Sequence, residues 1–230
     1  VQYGKPLNPD MIRAAPLGVA AYKNLMPFAI AYLYKFLQIF DKNVSIEFAA
    51  IILPVIAFAL TLIFFFLFTR KIFSFITSKN SATITALIAT LFYAVIPEML
   101  HRTNAGIPEL ESLGMVFFWL SFYFFSSAWQ TNDKKKPIFF SILSGLFTGL
   151  MIFTWGGFRY IFMTIASTSF LLFLFNKDRK KNFLIYFLWF LPSLIFALAF
   201  SGIGTFFSIR DIGFATFIFF IFDNSYSNRW

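Results

Sequence analysis

Polar residues interrupt this chain at short, regular intervals. Between the breaks lie six long apolar runs, over Phe48–Thr69, Ser81–Ile96, Leu113–Trp129, Ile138–Phe153, Ile161–Phe175 and Phe183–Phe200. Runs of this length match the roughly 20 apolar residues that an α-helix needs to cross a bilayer. The pattern therefore predicts an all-α, polytopic transmembrane helix bundle with at least six spans. Gly213–Phe222 is apolar but too short to read as a crossing. Met11–Phe40 is apolar too, but Pro16, Lys23, Pro27 and Lys35 cut it. That stretch reads as broken helices lying at the outer membrane surface, with a true crossing as the alternative.

Composition agrees. Of 230 residues 59% are hydrophobic and 13% charged, against about 25% charged in an average soluble domain. Mean hydropathy is +0.76. A soluble enzyme and a disordered chain are both excluded. With no cysteine there is no disulfide framework and no thiolate chemistry, and the one histidine, His101, rules out a polyhistidine metal site.

The net charge of +9 changes meaning once it is placed on the runs. Ten basic residues lie in alternate breaks: Arg70, Lys71, Lys79, Lys134, Lys135, Lys136, Lys177, Arg179, Lys180 and Lys181. The intervening breaks hold three, Arg102, Arg159 and Arg210. This asymmetry reports orientation rather than nucleic-acid binding, and it places the lysine-rich breaks in the cytoplasm. The break Pro97–Ser112 then faces outward, and it carries the acids Glu98, Glu109 and Glu111. Residues 1–47 fall on the same outer side and include a glycosylation sequon, Asn43-Val44-Ser45.

Two breaks could carry chemistry. Glu109 and Glu111 are hard oxygen donors of the kind Mg²⁺ or Mn²⁺ prefers. They share a side in an extended segment but lie about 200° apart on a helix. Pro108 suits a first helical position, so both acids are expected near the start of the next span, where the helix dipole favours negative charge. Glu109 is expected to ligate. Glu111 is expected to ligate beside it or to support it, paired with Arg102. The second break reads Thr154-Trp155-Gly156-Gly157, with Arg159 just beyond. Its glycines permit close backbone approach, Trp155 also suits a membrane interface, and Arg159 either snorkels or meets a phosphate.

Taken in order, these motifs resemble the catalytic subunit of oligosaccharyltransferase, a GT-C membrane glycosyltransferase. Arg102-Thr103, Ala105-Gly106 and Glu109-x-Glu111 are similar to that family's second acidic motif on an external loop. Trp155-Gly156-Gly157 is similar to its Trp-Gly-Gly stretch, and Tyr3-Gly4-Lys5-Pro6 to the end of its first external loop. Residues 1–47 would then be the end of that loop with surface-lying helices, and residues 48–230 a truncated transmembrane domain without the family's C-terminal soluble domain. The resemblance implies transfer of an oligosaccharide from a polyprenyl (dolichyl) phosphate or diphosphate to Asn of Asn-x-Ser/Thr, metal-dependent and inverting. It implies Glu109, Glu111 and Arg102 as catalytic residues, Glu109 and Glu111 as ligands of Mg²⁺ or Mn²⁺, and Trp155, Gly156 and Arg159 at the substrate. The partners implied are lipid-linked oligosaccharide, acceptor polypeptide and membrane lipids, in an archaeal plasma membrane with the acidic loop outside. The first acidic motif, a further acid on a later loop and the Trp-Trp-Asp motif of the soluble domain are not found in residues 1–230, so a fragment inactive alone is expected. An O-mannosyltransferase-like enzyme would place its acids in the first external loop instead. A transporter would carry acids inside its spans, and none is present there.

Overall fold

The computed structural model describes residues 24–131, 133, 135–175 and 179–200. Tyr3-Gly4-Lys5-Pro6, Lys134, Lys177, Arg210 and the 213–222 run lie outside them. The described residues form eight helices and no strand. They are α1 (Met26–Leu37), α2 (Ile46–Phe73), α3 (Lys79–Ala94), α4 (Pro97–Arg102), α5 (Leu110–Gln130), α6 (Lys136–Thr154), α7 (Phe158–Phe175) and α8 (Arg179–Phe200).

Each of the six apolar runs is a helix, so the all-α expectation holds. Four of them are long and apolar enough to cross a membrane: α2, α5, α6 and α8. The count of six crossings is not reached among the described residues. At 16 residues α3 rises about 24 Å, short of the ~30 Å hydrocarbon layer. Its polar first turn begins at the Ser78 cap, which accepts from the Ser81 amide at 3.2 Å. α7, Phe158–Phe175, has 18 residues, a rise of about 27 Å.

The centre of the bundle is α5–α6–α8. Small residues on α6 recur every three or four positions, at Ser141, Ser144, Gly145, Thr148 and Gly149, and all are buried. That spacing lines one helix face and lets neighbouring backbones approach closely, the usual packing between membrane helices. The fit is tight: a Cβ on Gly145 would stand 2.3 Å from the Trp189 carbonyl oxygen, and one on Gly149 would stand 2.5 Å from the Phe196 ring. Hydroxyls in this seam are mutually satisfied. Ser121 and Thr148 share a hydrogen bond of 2.7 Å, Ser144 donates to the Ser121 carbonyl at 2.8 Å, and the Trp189 indole donates to Thr148 at 2.9 Å. Around it pack Phe122, Phe125, Phe162, Tyr186 and Phe190.

This packing fixes the ends. Leu53 of α2 meets Leu113 of α5, and Gly114 of α5 meets Trp155 at the end of α6. The start of α2, the start of α5 and the end of α6 thus share one end of the bundle. At the other end the Lys181 ammonium donates to the carbonyls of Thr131 at 2.8 Å and Trp129 at 3.3 Å. The acidic and lysine-rich breaks are therefore at opposite ends, as the alternation along the chain requires.

Within the 11–40 stretch the described part is α1. Twelve residues rise about 18 Å, too little to cross a bilayer. Met26, Ile30 and Leu33 pack toward α2 and α5. Phe28, Tyr32 and Phe36, one turn apart, face outward and are exposed. The Leu25 amide bonds to the Phe153 carbonyl at 3.1 Å, which pins α1 to the acidic end. Asn43 lies in the exposed turn between α1 and α2, its amide bonded to Asp41 Oδ1 at 2.9 Å.

Candidate functional site

The acidic loop has more structure than its residue pattern suggests. Pro97 opens the six-residue α4, where its missing N–H costs nothing. Glu98 lies in the first turn and His101 and Arg102 in the last, each matched to the helix dipole. The buried Thr103 hydroxyl donates back to the Met99 carbonyl at 2.7 Å. Gly106 then takes φ +99°, a conformation glycine adopts without steric cost. That turn aims its amide at the Ile51 carbonyl of α2, 3.2 Å away, and so docks the loop on the bundle.

Pro108 does not open α5, although its residue type suits that position. Glu109 is the extended N-cap residue (φ −78°, ψ 147°), and the helix starts at Leu110. The backbone direction therefore changes between the two acids, and their side chains can converge. They do so on Arg102. Its Nη1 lies 2.8 Å from Glu111 Oε1 and 3.4 Å from Glu109 Oε2, and its Nε lies 2.9 Å from Glu98 Oε1. The Arg102–Glu111 pair expected from the sequence is present, and Glu98 is a third partner that sequence reasoning left out of the site. The signal for it was available: Glu98 and Arg102 are spaced i,i+4, so a short helix sets them side by side.

The carboxylates raise the guanidinium's already high pKa further, the Glu98 hydrogen bond most and then the charge of Glu111. Three carboxylates around one guanidinium leave two negative charges uncompensated. Glu109 is the more loosely held of the two acids at the start of α5. Among the described residues no three acidic or histidine side chains gather closely enough to hold an ion alone. The donors present thus fit part of a divalent-cation site. His101 is exposed and faces no ion-pair partner among the described residues.

Trp155 stands beside this cluster. It ends α6 in an extended conformation (φ −150°, ψ 143°), and its half-buried side chain runs between two glycines. A Cβ on Gly114 would lie 3.2 Å from the Trp155 Cβ, and one on Gly157 would lie 2.1 Å from its ring. Gly114 follows Glu111 by three residues on α5, the same helix face. The indole is therefore anchored about one turn from the acidic pair. Gly156 is exposed, and a Cβ there would meet nothing within 4 Å, so the close approach belongs to Gly157 and Gly114. Arg159 lies in the first turn of α7, exposed and without an ion pair among the described residues.

The family model of the oligosaccharyl transferase STT3 N-terminal region matches residues 3–228. The Saccharomyces cerevisiae subunit STT3 of dolichyl-diphosphooligosaccharide–protein glycosyltransferase is 26% identical over 163 residues, 71% of this chain and 20% of the yeast protein. An Archaeoglobus fulgidus oligosaccharyltransferase tethered to an acceptor peptide with an NVT sequon superposes with TM-score 0.74 at 19% identity, covering 96% of this chain and 28% of that one. The AglB protein of the same organism, in complex with an inhibitory peptide and a dolichol-phosphate, superposes with TM-score 0.72 at 17% identity, over 99% of this chain and 28% of its own. A third structure of the archaeal enzyme, in complex with Zn and sulfate, gives 0.66 at 19% identity, over 91% of this chain and 28% of that one. The chain thus spans about a fifth of the yeast relative and just over a quarter of the archaeal ones. It belongs to the oligosaccharyl transferase STT3 family.

Proposed function

We propose that this chain is the membrane-embedded N-terminal part of an enzyme that transfers an oligosaccharide from a polyprenyl phosphate or diphosphate to the side-chain amide of Asn in Asn-x-Ser/Thr. In this reading residues 1–47 would be the end of the first external loop and 48–230 the transmembrane domain. The observation that carries the reading is the convergence of Glu109 and Glu111 on Arg102 Nη1, one helical turn from the Gly114–Trp155 contact, within a fold shared with the archaeal enzyme.

In this reading Glu109 faces the reacting groups. Its carboxylate is loosely held at 3.4 Å and can offer a hard oxygen to Mg²⁺ or Mn²⁺. A divalent ion bound there would neutralise the charge that develops on the departing phosphate. The Zn complex of the archaeal relative supports a metal in the complete site, and the remaining donors would come from parts of the enzyme beyond this chain. Arg102 holds Glu111 and tethers Glu98, and so sets the angle of the loop. Trp155 walls the site on the α6 side. Arg159, exposed in the first turn of α7 and with no ion-pair partner among the described residues, would meet a phosphate of the donor. The inverting outcome follows if the acceptor amide attacks from the face opposite the phosphate.

The assay is transfer of labelled lipid-linked oligosaccharide to an Asn-x-Thr peptide by the complete enzyme. Full transfer by Glu109→Gln at limiting metal would remove the acidic loop from the active site.

A further inference from the structure

At the end of the bundle away from the acidic loop lies a cavity of about 200 Å³, lined by Leu67, Arg70, Lys71 and Ser74 of α2 and its exit, Lys79 of α3 and Tyr123 of α5. Three cations face it. None makes an ion pair among the described residues, although like charges so placed repel one another. Lys79 opens α3 and sets its positive charge at the positive end of that helix's dipole, which costs stability unless an anion lies nearby.

The neighbouring surface is of the opposite character and in register with the cations. Leu60, Ile63, Leu67, Arg70, Lys71 and Ser74 follow one another at short helical steps, so they share one face of α2. Leu60 and Ile63 are exposed. The face is therefore an apolar stripe that ends in a cationic pocket, with a Tyr123 ring at its rim where an interfacial aromatic belongs. An apolar body joined to an anionic head has this outline, and basic pockets between membrane helices are where anionic headgroups are held.

We propose that this pocket binds the phosphate-bearing headgroup of an anionic membrane lipid, with an acyl chain along the Leu60–Ile63–Leu67 stripe. The site stands about 30 Å from the acidic cluster, from the helical rise between Ile51 and Arg70. It does not depend on the proposed transfer reaction.

The test is native mass spectrometry of the complete protein released from nanodiscs of phosphatidylcholine with or without phosphatidylglycerol, paired with melting curves in the same membranes. Wild type should retain phosphatidylglycerol and melt higher in its presence. Lys79→Gln should weaken retention about fivefold, and Arg70→Gln/Lys71→Gln/Lys79→Gln on the order of a hundredfold, from the contribution of one cation near an anionic surface. In pure phosphatidylcholine Lys79→Gln should melt no lower than wild type, because it removes a charge that the helix dipole opposes. This single variant decides the matter even where the triple variant fails to fold. Equal retention of phosphatidylglycerol by Lys79→Gln and wild type would overturn the proposal. So would stabilisation by inorganic phosphate as large as that by the lipid, which would make the ligand a soluble phosphate.

Discussion

At one end of the bundle three carboxylates share a single guanidinium, at 2.8, 2.9 and 3.4 Å. At the other, Arg70, Lys71 and Lys79 surround a cavity with no carboxylate among the described residues on its wall. Charge is thus partly neutralised from within at the acidic end, whereas the three cations around this cavity make no ion pair among the described residues. The difference has a local cause. The acidic loop folds back through α4 and the Gly106 turn, so acids on two elements reach the same arginine. The basic break between α2 and α3 is a short turn whose cations come from consecutive helix ends, and among the described residues no acid pairs with them. An end that carries its own cation can exchange it for another or hold a fixed shape. In the binding proposed for the basic pocket, the counterion comes from the membrane.

The largest expected effect comes from removing the charge at the loosest point of the acidic cluster. Glu109→Gln keeps the shape and deletes the proposed ligand. In the complete enzyme glycan transfer should fall roughly a hundredfold to a thousandfold, the size of a lost electrostatic contact to a developing anion. Initial rates with lipid-linked donor measure it. Because Glu109 is the N-cap residue and makes no side-chain capping bond, the melting temperature should hardly move. A large loss of stability with transfer preserved would make Glu109 a structural residue.

Arg102→Lys and Glu111→Gln come next. A lysine cannot offer Nε and Nη1 to separate carboxylates as Arg102 does, and Glu111→Gln removes the carboxylate that Arg102 holds at 2.8 Å, so either change loosens the loop's internal tie. Transfer should drop on the order of 10–100-fold, as for groups that orient a ligand without touching substrate. Added Mn²⁺ should restore activity to both variants more readily than to Glu109→Gln. A rescue in the reverse order would exchange the roles given to Glu109 and Glu111.

How much of this could be read from residues alone differs between the two ends. The helices were legible because a bilayer demands long apolar runs, and the Lys and Arg breaks punctuate them. The number of crossings was less so: α3 is apolar enough to look like a span, but its first turn, Lys79-Asn80-Ser81, is polar and shortens the membrane-compatible part. The Arg102–Glu111 pair was legible from charge and proximity. The convergence of Glu109 was not, because it depends on where the helix begins. Pro108 fits a first helical position, yet the chain stays extended through Glu109. Gly114 was invisible as a functional neighbour, since its role exists only once α6 returns antiparallel to α5. The cavity at Arg70, Lys71 and Lys79 was likewise hidden inside a pattern that orientation alone explained.

At the acidic end the loop is docked on α2 through the Gly106 amide, and Gly106 tests how far its shape depends on backbone. Gly106→Ala places a side chain at φ +99° and should cost about 1–3 kcal/mol. There is open space around the position, so the cost is conformational and not a clash. Thermal melting of the complete protein in detergent or nanodiscs would read it. The expected signature is a lower melting temperature together with a weaker response to Mn²⁺, because the docking bond to Ile51 is the loop's tie to α2. No change in either would mean that the loop is held by the Arg102 contacts alone.

The smallest effects separate two adjacent glycines. Gly157→Ala would put a methyl group 2.1 Å from the Trp155 ring, so the indole must move, at a cost of about 1–3 kcal/mol for overpacking. That movement would be felt by Gly114, and through it by the α5 turn that carries Glu111. Gly156→Ala meets nothing within 4 Å and has no positive φ, so its stability should stay within about 0.5 kcal/mol of wild type, as for surface changes elsewhere. The sequence pattern treats the pair as one motif, but the structure gives them different work: Gly157 seats the indole and Gly156 leaves the surface beside it open. If the open surface receives substrate, Gly156→Ala raises the KM for the lipid-linked donor or the peptide while melting and kcat stay as in wild type. An unchanged KM for both would take Gly156 out of the substrate site and leave Trp155, held by Gly114 and Gly157, as the part of the motif that faces the acidic pair.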